Sequence, residues 1–205
     1  MSAPSLAPSI RSASPAAVVV VAWFAGALAA GALGVFRTGP GGLPVALGIA
    51  AALPPLAALT LAAGSPWFRA WVGHLDLRFL TLLQTGRTVG LAFLALAAVD
   101  ALPAGFAVPA GMGDVAIALT APFVAAFVVG RSTRWYLAWT ALGVADLVSA
   151  LTLGVLYSST PARVLHGAVS TDLVASLPLS LVPTFGVPLA LVAHILAVVN
   201  IRYPR

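Results

Sequence analysis

The sequence predicts an all-α integral membrane protein, a six-helix bundle with Pro-kinked helices, and three observations carry that reading. Of its 205 residues, 61% are hydrophobic and only 7% are charged. Mean hydropathy is +1.07. Apolar runs close to the ~20 residues that cross a bilayer core recur along the whole chain. Soluble domains carry about 25% charged residues. Ten basic and five acidic side chains cannot clothe a globule of this length in water, which excludes a soluble enzyme, a disordered chain and a DNA-binding domain.

Residues 1–15 are rich in Ser, Pro and Ala without a period and read as a disordered N-terminal tail. Residues 16–205 read as a single transmembrane domain. The first span is 16–36. It is too long for the ~7–15-residue apolar region of a cleaved signal, so it is expected to stay in the chain. The further spans are 43–64, 79–102, 111–130, 135–157 and 178–201. Residues 65–78, with Trp67, Trp71, Arg69 and His74, suit an interfacial segment. Residues 158–177 are semi-polar and read as a short surface helix or a re-entrant piece.

All ten basic residues are Arg and all five acids are Asp. The arginines stand at the ends of apolar runs rather than in a solvated cluster, so no nucleic-acid partner is expected. With the N-terminus inside, Arg11, Arg69, Arg78, Arg131, Arg134, Arg202 and Arg205 share one side, and Arg37 and Arg163 the other. That bias predicts both termini on the cytoplasmic side, and the chain is expected to lie in a bacterial inner membrane. Trp135, Trp139 and Tyr203 join Trp67 and Trp71 near the inner boundary. There is no Lys for a retinal Schiff base, and no Cys for a disulfide, an iron–sulfur centre or Cys-bound zinc.

Helices in lipid gain little by burying apolar surface against one another and associate through small residues. Ala22, Gly26, Ala30 and Gly34 recur every four residues and offer either an intramolecular packing stripe or a homo-oligomer contact. Gly86 and Gly90, then Ala141, Ala145 and Ser149, repeat the pattern. Prolines interrupt three spans at Pro54-Pro55, Pro122, and Pro183 with Pro188. Each removes a donor and frees the carbonyl four residues earlier, and in hydrocarbon that carbonyl needs a partner or a cavity.

Ionisable groups at membrane depth are expensive, ~2.5–3.5 kcal/mol at a helix centre on insertion scales. Arg87 in the third span and Asp146 in the fifth both lie ~16 Å in from the inner ends at 1.5 Å per residue, so they are expected to pair. Gln84 and Thr88 flank Arg87, Ser149 flanks Asp146, and His194 in the sixth span is a candidate relay. Asp100 and Asp114 frame the stretch LPAGFAVPAGMGD. Asp114 is expected to open the fourth helix, or to share an outer vestibule with Asp100. Asp172 reads as a surface cap or turn. The histidines do not provide two deep ligands on each of two helices, so haem is not expected, and the scattered acids predict no metal site.

The stretches LPAGFAVPAGMGD (102–114), LGVADL (142–147) and LVPTFGVPLALVAHI (181–195) resemble a group of small bacterial polytopic membrane proteins without assigned function. The resemblance implies a fold of about six helices and brings no activity, cofactor or catalytic residues.

The leading expectation is therefore binding, or proton-linked movement, of a small solute through a central polar site. Arg87 would recognise an anionic group, Asp146 would be its counter-ion and proton carrier, and His194 would relay. The alternative is a structural or accessory subunit of a membrane complex. A lipid-modifying enzyme ranks third, because the sequence shows no nucleophile–base pair and no Asp-rich prenyl-diphosphate motif. The bilayer itself is the one partner that composition demands.

Overall fold

The computed structural model describes residues 15–39 and 41–204. The predicted tail, together with Arg11 and Arg205, lies outside the described residues, except that Pro15 opens the first helix. The elements are α1 (Pro15–Ala32), α2 (Val45–Gly64), α3 (Pro66–Val72), α4 (Leu77–Leu82), a 3₁₀ segment (Leu83–Val89), α5 (Gly90–Ala98), α6 (Ala104–Phe127), α7 (Thr133–Leu156), a π turn (Val182–Gly186) and α8 (Val187–Arg202). No strand occurs among the described residues. Six continuous helical stretches are long and apolar enough to cross a membrane: Pro15–Ala32, Val45–Gly64, Leu77–Ala98, Ala104–Phe127, Thr133–Leu156 and Val182–Arg202. The chain is a multi-pass membrane protein built as a helical bundle.

Polar residues start the helices on one end of the bundle. The hydroxyl of Ser65 accepts from Phe68 N–H, the carboxylate of Asp76 from Arg78 N–H, and Ser132 Oγ from Trp135 N–H. Each satisfies an amide that a helix start leaves without a partner. At the same end Arg69 donates to the carbonyls of Ala62 and Ala63, which close α2. Asn200 Nδ2 donates to Val72 O and Leu75 O, tying α8 to the turn after α3. The interfacial reading of 65–78 thus resolves into a short helix and a capped turn.

α8 lies at the centre. It packs on α2, α3, α4 and α7, and buries Val187, Ala190, Ala193, His194, Ala197 and Val199. α6 packs on α4, the 3₁₀ segment, α5 and α7. The fourth span begins at Ala104 rather than 111, because the helix runs through Pro109. Pro109 is the sixth residue of the helix, and its missing donor frees the carbonyl of Gly105.

The connection 157–180 forms no α-helix. It is an irregular cover with one 3₁₀ turn, Asp172–Ala175, strapped to the end of α7. Thr171 Oγ1 donates to Gly154 O at 2.6 Å, and Ser159 N–H donates to Asp172 Oδ1 at 3.0 Å. Partial burial pushes the Asp172 carboxyl up, but hydrogen bonds from Ser159 and Ser170 and the nearby Arg163 outweigh it and hold the group below its ordinary value.

α1 is peripheral and packs on the π turn. Its buried side is Ala27 and Gly31, with Trp23 half-buried on the same side. Ala22 and Gly26 face outward, Ala30 is half-buried, and no atom lies within 4 Å of a Cβ built on Gly26. Gly34, with φ +71°, falls beyond the helix in the turn that ends it. The small-residue stripe is therefore not the face that packs within the chain. The contact that fixes α1 has a covalent origin. Pro188 cannot donate to Thr184 O, and Trp23 Nε1 donates to that carbonyl instead, at 3.2 Å. Phe185 stacks edge-on against Trp23 and Phe24. The π turn closes through Val187 N–H donating to Val182 O.

Candidate functional site

The third span carries the site because of how it winds. Between Leu83 and Val89 it is a 3₁₀ helix, with about 3.0 residues per turn, so residues three apart eclipse one another. Thr81, Gln84, Arg87, Gly90 and Phe93 accordingly form one buried line. The α-helical period would have put Thr88 near that line. With the tighter period Thr88 faces outward and is exposed.

Arg87 is 5% exposed and bridges two carboxylates. Its Nε donates to Asp114 Oδ1 of α6 at 2.7 Å, and its Nη2 donates to Asp146 Oδ2 of α7. Its Nη1 donates to the backbone carbonyl of Gly143 at 3.2 Å. The expected pair of Arg87 and Asp146 is present, within a triad whose third member is Asp114. Asp114 does not open its helix. It lies ten residues after Ala104, roughly 15 Å along the axis, and is buried. Asp100 remains in the turn after α5, exposed and with φ +54°. The two acids do not frame a common vestibule.

Glycines let the helices close around the triad. A Cβ on Gly90 would fall 2.5 Å from Asp114 Cβ and 2.8 Å from Gly111 O, so α5 and α6 cross backbone to backbone there. A Cβ on Gly113 would collide with the Asp146 carboxylate. At Gly143 a Cβ would lie 2.5 Å from His194 Nε2 and 3.4 Å from Arg87 Nη1. The His194 ring and the Arg87 guanidinium thus meet over one glycine. His194 is 2% exposed, and its Nε2 has no hydrogen-bond partner. The ring also stands edge-on to Trp139, 5.7 Å between centroids. Gln84 Nε2 donates to Ala190 O of α8 at 3.1 Å, while its Oε1 is buried and unpartnered. Thr81 Oγ1 and Tyr136 Oη lie 3.0 Å apart on the next turn.

The structure brings Arg87, Asp146, His194 and Gln84 together. It leaves out Ser149, whose hydroxyl is exposed and donates to its own helix at Asp146 O. Asp114, Tyr136 and the carbonyl of Gly143 are the groups that the sequence reading did not place at the site. The signal for Asp114 was the run Gly111-Met112-Gly113-Asp114, since glycines around an acid inside an apolar stretch mark close helix approach. Pro54 and Pro55 lie inside α2 and Pro122 inside α6, while Pro183 stands in the π turn and Pro188 in the first turn of α8. His74 and His166 are exposed in connecting segments. Among the described residues no three His, Asp or Glu side chains gather as a metal set.

Residues 44–202 match the family described as a domain of unknown function, DUF8737, and the chain belongs to that family. No curated protein and no solved structure matches it. The match includes the entire triad and leaves α1 outside.

Proposed function

We propose that this member of the DUF8737 family binds a proton at the Arg87–Asp114–Asp146 triad, and that movement of a small solute across a bacterial inner membrane is linked to it. One observation carries the reading: two carboxylates, Asp114 buried and Asp146 half-buried, face a single guanidinium. An uncompensated charge in hydrocarbon is costly, and a proton is the smallest cation that balances the set. His194 Nε2, unpartnered beside Arg87, supplies an adjacent acceptor for relay. All three nitrogens of Arg87 already have partners, which favours a cation over an anionic solute at this centre. Arg69, Arg78, Arg131, Arg134 and Arg202 lie towards the ends of alternate spans, which supports both termini being cytoplasmic.

Infrared difference spectra of the protein in lipid, taken across a pH change, test the proton. The expected signal is the carbonyl stretch of a protonated carboxylic acid that appears as pH falls and is lost in Asp146→Asn or Asp114→Asn. No such band over the whole range in which the protein stays folded overturns the reading.

The saturation of Arg87 favours a second reading, in which the triad only locks helix register and the chain is an accessory subunit. In that case Arg87→Leu combined with Asp114→Leu and Asp146→Leu stays folded and retains its cellular role. Under the first reading it is folded and inactive.

A further inference from the structure

A deep cleft, separate from the triad, opens on the side of the bundle. α2 and α7 both pack on α8 rather than closing on one another. Between them lies a cavity of about 660 Å³, within the ~300–1,000 Å³ typical of ligand sites. Its α2 wall runs from Leu47 to Leu59, roughly 18 Å at 1.5 Å per residue. That exceeds one leaflet of a hydrocarbon core ~30 Å thick. The floor includes Phe93, Phe106, Val187 and Leu191, all apolar. The rim residues Leu56, Leu59 and Val155 are 55%, 50% and 39% exposed, so the cleft is open sideways to the bilayer.

The mouth is chemically different. Arg37 stands there with Thr38, Thr160, Asp172 and Ser176. Among the described residues the Arg37 side chain makes one hydrogen bond, from Nε to Ser176 Oγ at 3.3 Å, and takes part in no ion pair. Asp172 is engaged by Ser159 N–H and by the field of Arg163, so it does not neutralise Arg37. A cation with free guanidinium donors above a leaflet-deep apolar slot matches one class of molecule in its surroundings.

We propose that this cleft is a binding site for a membrane phospholipid, with one acyl chain lying between α2 and α7 and the phosphate held by Arg37. The inference does not rest on protonation of the triad. The geometry also supplies a clean obstruction. Gly48 lines the cleft, and a Cβ built there meets nothing within 4 Å, so Gly48→Trp fills the slot from the helix surface.

The test is native mass spectrometry of the full chain in detergent, titrated with palmitoyl-oleoyl phosphatidylglycerol. Its controls are diacylglycerol with the same chains and glycerol phosphate. Wild type is expected to retain one phosphatidylglycerol in preference to both controls. Gly48→Trp is expected to weaken retention at least about tenfold, equal to ~1.4 kcal/mol. Arg37→Gln is expected to remove the preference over diacylglycerol while leaving the melting temperature unchanged. Retention unaffected by Gly48→Trp would mean unspecific boundary lipid and overturns the site. Equal binding of diacylglycerol by wild type overturns the role of Arg37, and binding of glycerol phosphate as tightly as the lipid overturns the role of the slot.

Discussion

The first and last spans are almost equally apolar, with mean hydropathy 1.9 and 2.1, yet over an 18-residue window 11% of the first is buried and 61% of the last. In water such sequences would compete for the interior on equal terms. In lipid the solvent is as apolar as the side chains, so hydropathy no longer sorts helices between centre and edge. Small residues and polar partners do the sorting. α8 presents Ala190, Ala193 and Ala197 together with His194 and meets four helices. α1 offers Trp23, Ala27 and Gly31 to one proline-freed carbonyl and one turn.

Variants on either side of this contrast should differ by known amounts. The largest effect belongs to Arg87→Leu, which strands the carboxylates of Asp114 and Asp146. Breaking a buried pair by removing one partner costs ~3–5 kcal/mol, read as loss of the folded fraction in a detergent melt. Removing Asp146 as well does not restore stability, since Asp114 is still unpaired. Recovery requires Asp114→Leu in the same chain. Full recovery in the double variant would show that the triad is in truth a pair.

Next come additions of the same size at different places. Ala193→Leu overpacks the centre and is expected to cost ~1–3 kcal/mol. Ala25→Leu, on the exposed side of α1, should stay within about 0.5 kcal/mol of wild type. Equal melting temperatures for the two would remove the distinction between centre and edge.

Within α1 the expected effects are smaller and more local. Gly31→Leu meets Ser180 Oγ and Leu177 at about the 3 Å that a Cβ alone would reach, so it should loosen α1 from the π turn. Hydrogen exchange at residues 20–32 would rise while the triad region remains protected. Trp23→Phe keeps the ring and removes the bond to Thr184 O, a loss of ~0.5–1.5 kcal/mol visible in the same exchange experiment.

The smallest expected effect is at Gly26. Gly26→Leu enters open space and leaves the monomer's stability unchanged within about 0.5 kcal/mol. A shift from dimer to monomer in cross-linking would assign the outward stripe of Ala22 and Gly26 to a homo-oligomer. No shift would leave that stripe facing lipid.

Composition and run length were sufficient for the fold class and for the number of spans, because a bilayer imposes one length on every crossing. They placed the helix ends within a few residues, except at the start of α6. There the two prolines of LPAGFAVPAGMGD read as a loop, although Pro103 precedes the helix and Pro109 lies within its second turn. The misplacement took Asp114 out of the membrane in the sequence reading and hid the third member of the triad. The partnership of Arg87 with Asp146 was legible because opposite charges at equal depth have few other ways to be satisfied in hydrocarbon.

What the chain alone determines, then, is that it spans a membrane six times and where its costly charges sit along each span. Only the tertiary structure decided which faces those charges use. Thr88 and Ser149 were separated from the site by the 3₁₀ winding of 83–89 and by a hydroxyl turned onto its own helix. Gly90, Gly111, Gly113 and Gly143 became the places where backbones touch. Pro188 became the anchor of α1 through a carbonyl four residues upstream. The physical reason is common to all three. Hydropathy is nearly uniform along these helices, so it cannot choose among their faces. The choice falls to close packing and to hydrogen bonds between residues far apart in the chain, and a local pattern can mark where close approach is possible but not which partner is met there.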